Sequence, residues 1–193
     1  MKYLSALLLL TLSLNASDFV GMWIGEKEPL AIKFTQENDV IVGIDQRIAK
    51  YRIDSEGTLK FGIGDETCSM IEENGIVTFI YPNGRKYELR KAKNESEYLE
   101  AYEASKWDSQ SKAIANNLRQ ILFVAKAYLK ENELDQVSYD QLVSEKTEII
   151  RSVKSSIAGE DYSTLVITPE TESLTVIIDD KKSVTYPWPK KQN

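Results

Sequence analysis

Apolar and polar positions alternate in short runs from Leu30 to Leu89. Leu30, Ile32 and Phe34 form the first, Val40, Val42 and Ile44 the second, and Tyr51 with Ile53 the third. Leu59, Phe61 and Ile63 follow, then Cys68 and Met70, then Val77, Phe79 and Tyr81, then Tyr87 and Leu89. A period of two marks strands with one buried face. Glu37-Asn38-Asp39, Asp54-Ser55-Glu56-Gly57, Asn74-Gly75 and Pro82-Asn83-Gly84 separate the runs, and they are hairpin-turn sequences. The pattern predicts an antiparallel meander of roughly seven or eight short strands. With one apolar face, such a sheet must curl on itself or be covered by another element.

The punctuation then changes. Eight of the nine glycines lie between Gly21 and Gly84, and neither Gly nor Pro occurs from Arg85 to Ala158. Residues 95–132 read as one long helix, or as two with a joint near Asp108-Ser109. Ile114, Leu118, Ile121, Leu122, Ala125 and Leu129 fall on one helical face. Glu95 to Lys106, with Tyr98, Leu99 and Tyr102 among glutamates, has a weaker face and reads as a connector. Ser138-x-x-Gln141 is a capping-box start for a short helix. Ile149, Ile150 and Val153 follow without clear periodicity. Alternation returns at Leu165 to Ile167, Leu174 to Ile178 and Ser183 to Tyr186, with Asp179 to Lys182 as a charged turn. The expected class is α+β: a short-stranded antiparallel barrel or curled meander, a long helical connector, then a helix packed on a small antiparallel sheet.

The N-terminus gives an address. Lys2 precedes an apolar run from Leu4 to Leu14, too short to span a bilayer, and Asn15-Ala16-Ser17 follows as a cleavage site. This predicts an export signal over 1–16 and a periplasmic or extracellular product, with no membrane span after cleavage. Loss of residues 1–16 removes only Lys2 of the charged groups and takes the net charge from −6 to −7. Such a balance gives no electrostatic reason to bind nucleic acid. The single Cys68 permits no internal disulfide, and it is expected as a small buried apolar side chain.

Gly21-Met22-Trp23 on the first strand, the meander, and the closing Tyr87-Glu88-Leu89-Arg90 together resemble the small lipocalin-like β-barrel domains of exported bacterial proteins. The resemblance covers about residues 19–91. It implies that Trp23 closes the barrel floor and that Arg90 packs across its indole, a cation on an aromatic face. Ligand-holding lipocalins are about twice as long, and a barrel of roughly eight short strands is just filled by its own side chains. Trp23, Phe34, Phe61 and Phe79 are nevertheless the residues that would line a ligand site.

A second series is Ala115 to Ile121, Tyr128, Tyr139 to Leu142, Ala158-Gly159-Glu160-Asp161-Tyr162 and Val184-Thr185-Tyr186-Pro187. It resembles the globular part of type II secretion pseudopilins and related type IV pilin-like proteins over about residues 113–187. These families carry a long apolar N-terminal helix that polymerises them, and this chain has an export signal in its place. The expected organisation is an export signal (1–16), a lipocalin-like domain (17–92), a helical connector (93–112) and a pilin-like α+β domain (113–193).

Candidate chemistry is sparse. The chain has no His, which excludes imidazole acid–base work, His-dependent triads and His-ligated zinc. Asp65-Glu66, Glu72-Glu73, Glu160-Asp161 and Asp179-Asp180 are expected as solvated turn residues rather than converging acid–base pairs. Ser109-Gln110-Ser111-Lys112 has Ser-x-x-Lys order but lacks the partner motifs of Ser-Lys enzymes. Trp188, held between Pro187 and Pro189, is either a clasp on the sheet or an exposed anchor for a partner. The expectation is therefore an exported, non-enzymatic binding or scaffold protein with a protein partner at the envelope and no cofactor or metal. One alternative is a carrier of a small apolar ligand in the barrel. The other is a carboxylate enzyme with its site between the domains.

Overall fold

The computed structural model describes residues 16–42, 46–63, 66–144 and 156–189. The expected signal, Ile44, Asp65 and the segment containing Ile149, Ile150 and Val153 lie outside the described residues or nearly so, Ala16 alone of the signal being included. By internal contacts the chain divides into two units, 1–106 and 107–193.

The first unit opens with one helical turn, α1 (Ala16–Phe19). Eight strands follow: β1 (Gly21–Gly25), β2 (Ala31–Phe34), β3 (Asp39–Val42), β4 (Gln46–Ile53), β5 (Leu59–Ile63), β6 (Glu66–Glu73), β7 (Ile76–Ile80) and β8 (Lys86–Lys91). Each pairs antiparallel with the next, and β1 also pairs with β8, so the meander closes on itself as a barrel. Closure removes the free edges that a single-faced sheet would otherwise expose.

Period-two positions set the inside. Trp23, Ile32, Phe34, Val40, Tyr51, Leu59, Phe61, Cys68, Met70, Val77, Phe79 and Leu89 are all buried in one cluster, joined by Phe19 from α1. Their rings pack in sequence: Phe34 lies 5.4 Å from Tyr51 and 5.9 Å from Phe61, and Phe61 lies 5.7 Å from Phe79. Tyr81 continues the series 4.7 Å from Phe79. Edge-to-face and offset contacts of this kind add to the burial of each ring. The Asn74-Gly75 turn has positive φ at both residues, +56° and +79°, the twist that joins two adjacent strands by a two-residue loop.

The outer face of β1 and β2 is also apolar. Ile24 and Ala31 are buried there beneath Tyr98 of α2 (Glu95–Asn132). The first turns of α2, expected as a connector with a weak face, thus cover the barrel wall through Tyr98. Asn94 caps the helix, accepting from the Glu97 N–H at 3.0 Å, and the Glu97 carboxylate accepts in return from the Lys93 N–H.

The unit boundary falls within α2, between Lys106 and Trp107. No joint interrupts the helix at Asp108-Ser109. It ends with Glu133 at φ +53° and the Leu134 N–H donating to Leu129 O at 3.0 Å, a left-handed cap without glycine.

In the second unit β9 (Val137–Ser138) leads into α3 (Tyr139–Ser144), and β10 (Val166–Ile167), β11 (Ser173–Asp179) and β12 (Lys182–Pro187) complete it. The Ser138 capping box forms as read: the Ser138 N–H donates to Gln141 Oε1 at 2.8 Å, and the Gln141 N–H to Ser138 Oγ at 3.2 Å. The β part consists of two separate two-stranded ladders, β9–β10 and β11–β12. The core is mainly aliphatic: Ile114, Leu118, Ile121, Leu122, Ala125 and Leu129 of α2 bury against Leu142, Ile167, Leu174, Val176 and Val184, with Tyr139 and Tyr162 among them.

Candidate functional site

Alternation along β8 decides which side chain meets Trp23. Leu89 points inward, so Arg90 points outward and Lys91 inward, and Lys91 is the register partner of Trp23. The Lys91 Nζ stands 5.3 Å from the centre of the Trp23 ring, while the indole N–H donates to Phe19 O at 2.7 Å. Trp23 and Phe19 thus lie together at the floor, and the cation on the indole is Lys91 rather than Arg90. The lipocalin-type reading transferred the role by position along the strand, whereas the parity of Tyr87 and Leu89 already assigned it to Lys91.

Arg90 has another task. Its Nη2 donates to Glu97 Oε1 at 2.7 Å, and its Nε lies 4.0 Å from Glu26 Oε1. That guanidinium, followed by the Lys93 N–H, holds the Glu97 carboxyl down to about 2. The pair ties the start of α2 to the last barrel strand.

Around Trp23, Arg90 and Lys91 opens a groove of about 460 Å³ whose walls include Asp18, Glu72, Ile76 and Glu88. Its walls carry both signs of charge. Ile76, half exposed, supplies an apolar projection. Glu72, expected only as turn punctuation, belongs to this rim.

The other barrel positions named from sequence serve packing. Phe34, Phe61 and Phe79 occupy the barrel axis against one another, and Cys68 is buried opposite Phe61. A ligand inside would have to displace these rings.

In the second unit Trp188 is half-buried against the core, with its backbone N–H donating to Glu172 O at 2.6 Å and Lys126 Nζ 4.9 Å from its ring. Lys182 stands likewise 4.9 Å from the Trp107 ring. The β11–β12 hairpin therefore has a cation against an indole near each end. Lys112 of the Ser-x-x-Lys run is 2.7 Å from Asp108 Oδ2, an i,i+4 ion pair on an exposed helix face.

Glu160 departs from the solvated reading of the carboxylate pairs, whereas its neighbour Asp161 is exposed. Glu160 is 4% exposed, and it accepts from the Ile157 N–H at 2.9 Å, the Ala158 N–H at 2.7 Å and the Tyr162 hydroxyl at 2.8 Å. Burial alone would raise its pKa, but the Ile157 and Ala158 N–H donors outweigh that and hold it low. Burial and the neighbouring Glu160 push the Tyr162 hydroxyl well above the usual phenol range, although the Asn117 amide, donating to it at 3.1 Å, opposes this. This network fixes the 156–162 loop to α2. Its acceptors are engaged, so it has the chemistry of a structural anchor rather than of a proton donor. No sequence pattern signals it, because adjacent Glu and Asp beside Gly159 read equally well as a solvated turn.

Among the described residues no cluster of acidic and Cys side chains is placed to hold a metal, and no helix is long and apolar enough to cross a membrane. No protein-family model matches the chain, and no curated protein or solved structure matches it significantly.

Proposed function

We propose that this chain is an exported, non-enzymatic binding protein of the bacterial envelope or exterior, with a lipocalin-like barrel, a pilin-like α+β domain and a role exercised through protein–protein contacts. The observation that carries the reading is the floor groove. It is open, bears Asp18, Glu72, Arg90 and Lys91 around the indole of Trp23, and has Ile76 projecting beside them. Charges of both signs around an apolar and an aromatic centre suit a polypeptide surface, where rim charges select the partner and central apolar groups supply affinity. The barrel interior is occupied by rings in edge-to-face and stacked contact, which favours contact at the rim over cargo within.

The test combines two measurements on the full chain, expressed with its own N-terminus and recovered from the periplasmic and membrane fractions. Native mass spectrometry, compared with the denatured sample, is expected to give the same chain mass beginning at Ser17. A photo-cross-linking residue at Ile76 is expected to capture a discrete partner in the envelope fraction, and the same residue at Lys181, in the second unit, is not. Extra mass seen only in the native spectrum would overturn the reading in favour of a carrier. Retention of the Leu4–Leu14 run would overturn release from the membrane, and equal capture from Ile76 and Lys181 would overturn the floor groove as the contact.

A further inference from the structure

A second open groove, of about 310 Å³, lies on the outer wall over β4, β5 and β6, away from the floor, and is lined by Lys50, Arg52, Lys60, Gly62 and Thr67. Their placement follows from register. Tyr51 pairs with Phe61 and Phe61 with Cys68, all three inward, so the residues between them face outward. Arg52 is directly opposite Lys60, and Gly62 is opposite Thr67. Like charges set opposite on neighbouring strands repel. Here they do so in a chain whose net charge is −6.

The lysines are tethered. Lys50 Nζ lies 3.0 Å from Asp39 Oδ1 and donates to Glu37 O at 2.7 Å, and Lys60 Nζ lies 2.7 Å from Asp54 Oδ2. Asp39 also faces Arg47 at 3.4 Å, so one carboxylate serves two cations. Among the described residues no carboxylate pairs with Arg52. The wall therefore carries a surplus of positive charge centred on a guanidinium, held between two ammonium groups whose positions are fixed by other bonds. Gly62 leaves the ladder uncovered beside them, and exposed Thr67 offers a hydroxyl from the far strand.

We propose that this groove binds a tetrahedral oxyanion, the phosphate or sulfate group of a small ester, with Arg52 as its main ligand and Lys50, Lys60 and the Thr67 hydroxyl around it. The planar fork of a guanidinium takes two oxyanion oxygens at once, and the flanking ammonium groups act as point charges. A groove of about 310 Å³ is at the small end of ligand sites, which fits an ester of few atoms better than a polymer. This site is separate from the floor groove, and its failure would leave the proposed function untouched.

The experiment titrates the isotopically labelled chain with inorganic phosphate, sulfate and acetate at constant ionic strength and follows amide shifts. Saturable shifts at Arg52, Gly62 and Thr67 with phosphate or sulfate, and weaker ones with acetate, are expected. Arg52→Gln is expected to lower the affinity about tenfold or more, the worth of a charge-assisted hydrogen bond, whereas Lys181→Gln leaves it unchanged. Tightening with phosphate but not sulfate as pH rises and the second phosphate proton is lost would identify a phosphoester source, and equal binding a shape-selective site. Non-saturating shifts, affinity unaltered in Arg52→Gln, or binding of heparin without binding of either small anion would each overturn the proposal.

Discussion

The two units solve the same burial problem with different materials. The barrel buries a series of rings, with aliphatic side chains between them, on alternating positions of its strands, and hydrogen bonding around the closed sheet fixes where each stands. The second unit buries aliphatic side chains on one face of α2 and, among its described residues, has two two-stranded ladders, so the loop at 156–162 is held by side chains. Glu160, Tyr162 and Asn117 supply that hold. A closed sheet makes its own framework, whereas a helix with loops around it needs a buried polar anchor.

The sharpest way to break the contrast is to remove a ring from the barrel. Phe79 is fully buried between Phe61 and Tyr81, with few routes for a closed sheet to collapse around the gap. Phe79→Ala is expected to destabilise the first unit by about 3–5 kcal/mol, read as accelerated hydrogen exchange in β6 to β8. Exchange in residues 114–129 of α2 tests whether the loss stays within that unit.

The anchor of the second unit is the next largest. Glu160→Gln places an amide NH2 where Ile157, Ala158 and Tyr162 all donate, and is expected to cost about 2–3 kcal/mol, because unsatisfied buried donors are expensive. Acid should act on the same group. The folded pKa of Glu160 is lowered, so its stabilisation is complete above the unfolded carboxylate value of about 4.3 and is lost as pH falls through the folded one. Glu97 behaves likewise in the first unit, its contribution disappearing as pH falls from about 4.3 toward about 2. Acid unfolding of Glu160→Gln should therefore show a shallower pH dependence in the second unit than the parent chain does. An identical acid limb would remove Glu160 from the account.

How much of this the sequence declares follows the same division. The barrel is legible because a period of two is strict: once Tyr87 and Leu89 face inward, Lys91 must too, and only the analogy with Arg90 obscured it. The apolar face of α2 and the Ser138 capping box are legible for the same reason, as they are fixed spacings. Tyr98 over Ile24 and Ala31 is not, since it rests on packing between elements far apart in sequence. Glu160 is hidden more deeply, because burial of a carboxylate depends on three donors converging in space, and no spacing encodes that convergence.

A smaller test sharpens the role of turns in the barrel. Gly75 sits at φ +79° with nothing within 4 Å of where a Cβ would stand, so Gly75→Ala adds no clash and isolates the backbone cost. That cost is expected to be about 1–2 kcal/mol, measured as a lower denaturant midpoint with an unchanged slope. A null effect would mean that the hairpin of β6 and β7 tolerates another turn.

The smallest effect runs in the opposite direction and lies in α2. Glu133 holds the left-handed position that usually falls to glycine, and it does so to let the Leu134 N–H reach Leu129 O. The residue is exposed and has no resolved ion pair among the described residues, so its side chain gives little in return. Glu133→Gly relieves the strain of the left-handed conformation but adds freedom to the unfolded chain, and the first term exceeds the second. The variant is expected to stabilise the second unit by about 0.5–1 kcal/mol, seen as slower exchange of the amides of the last turn of α2. Destabilisation instead would show that Glu133 contributes through its side chain, and the helix terminus would then join Glu160 as a place where this unit relies on polar groups that the barrel does not need.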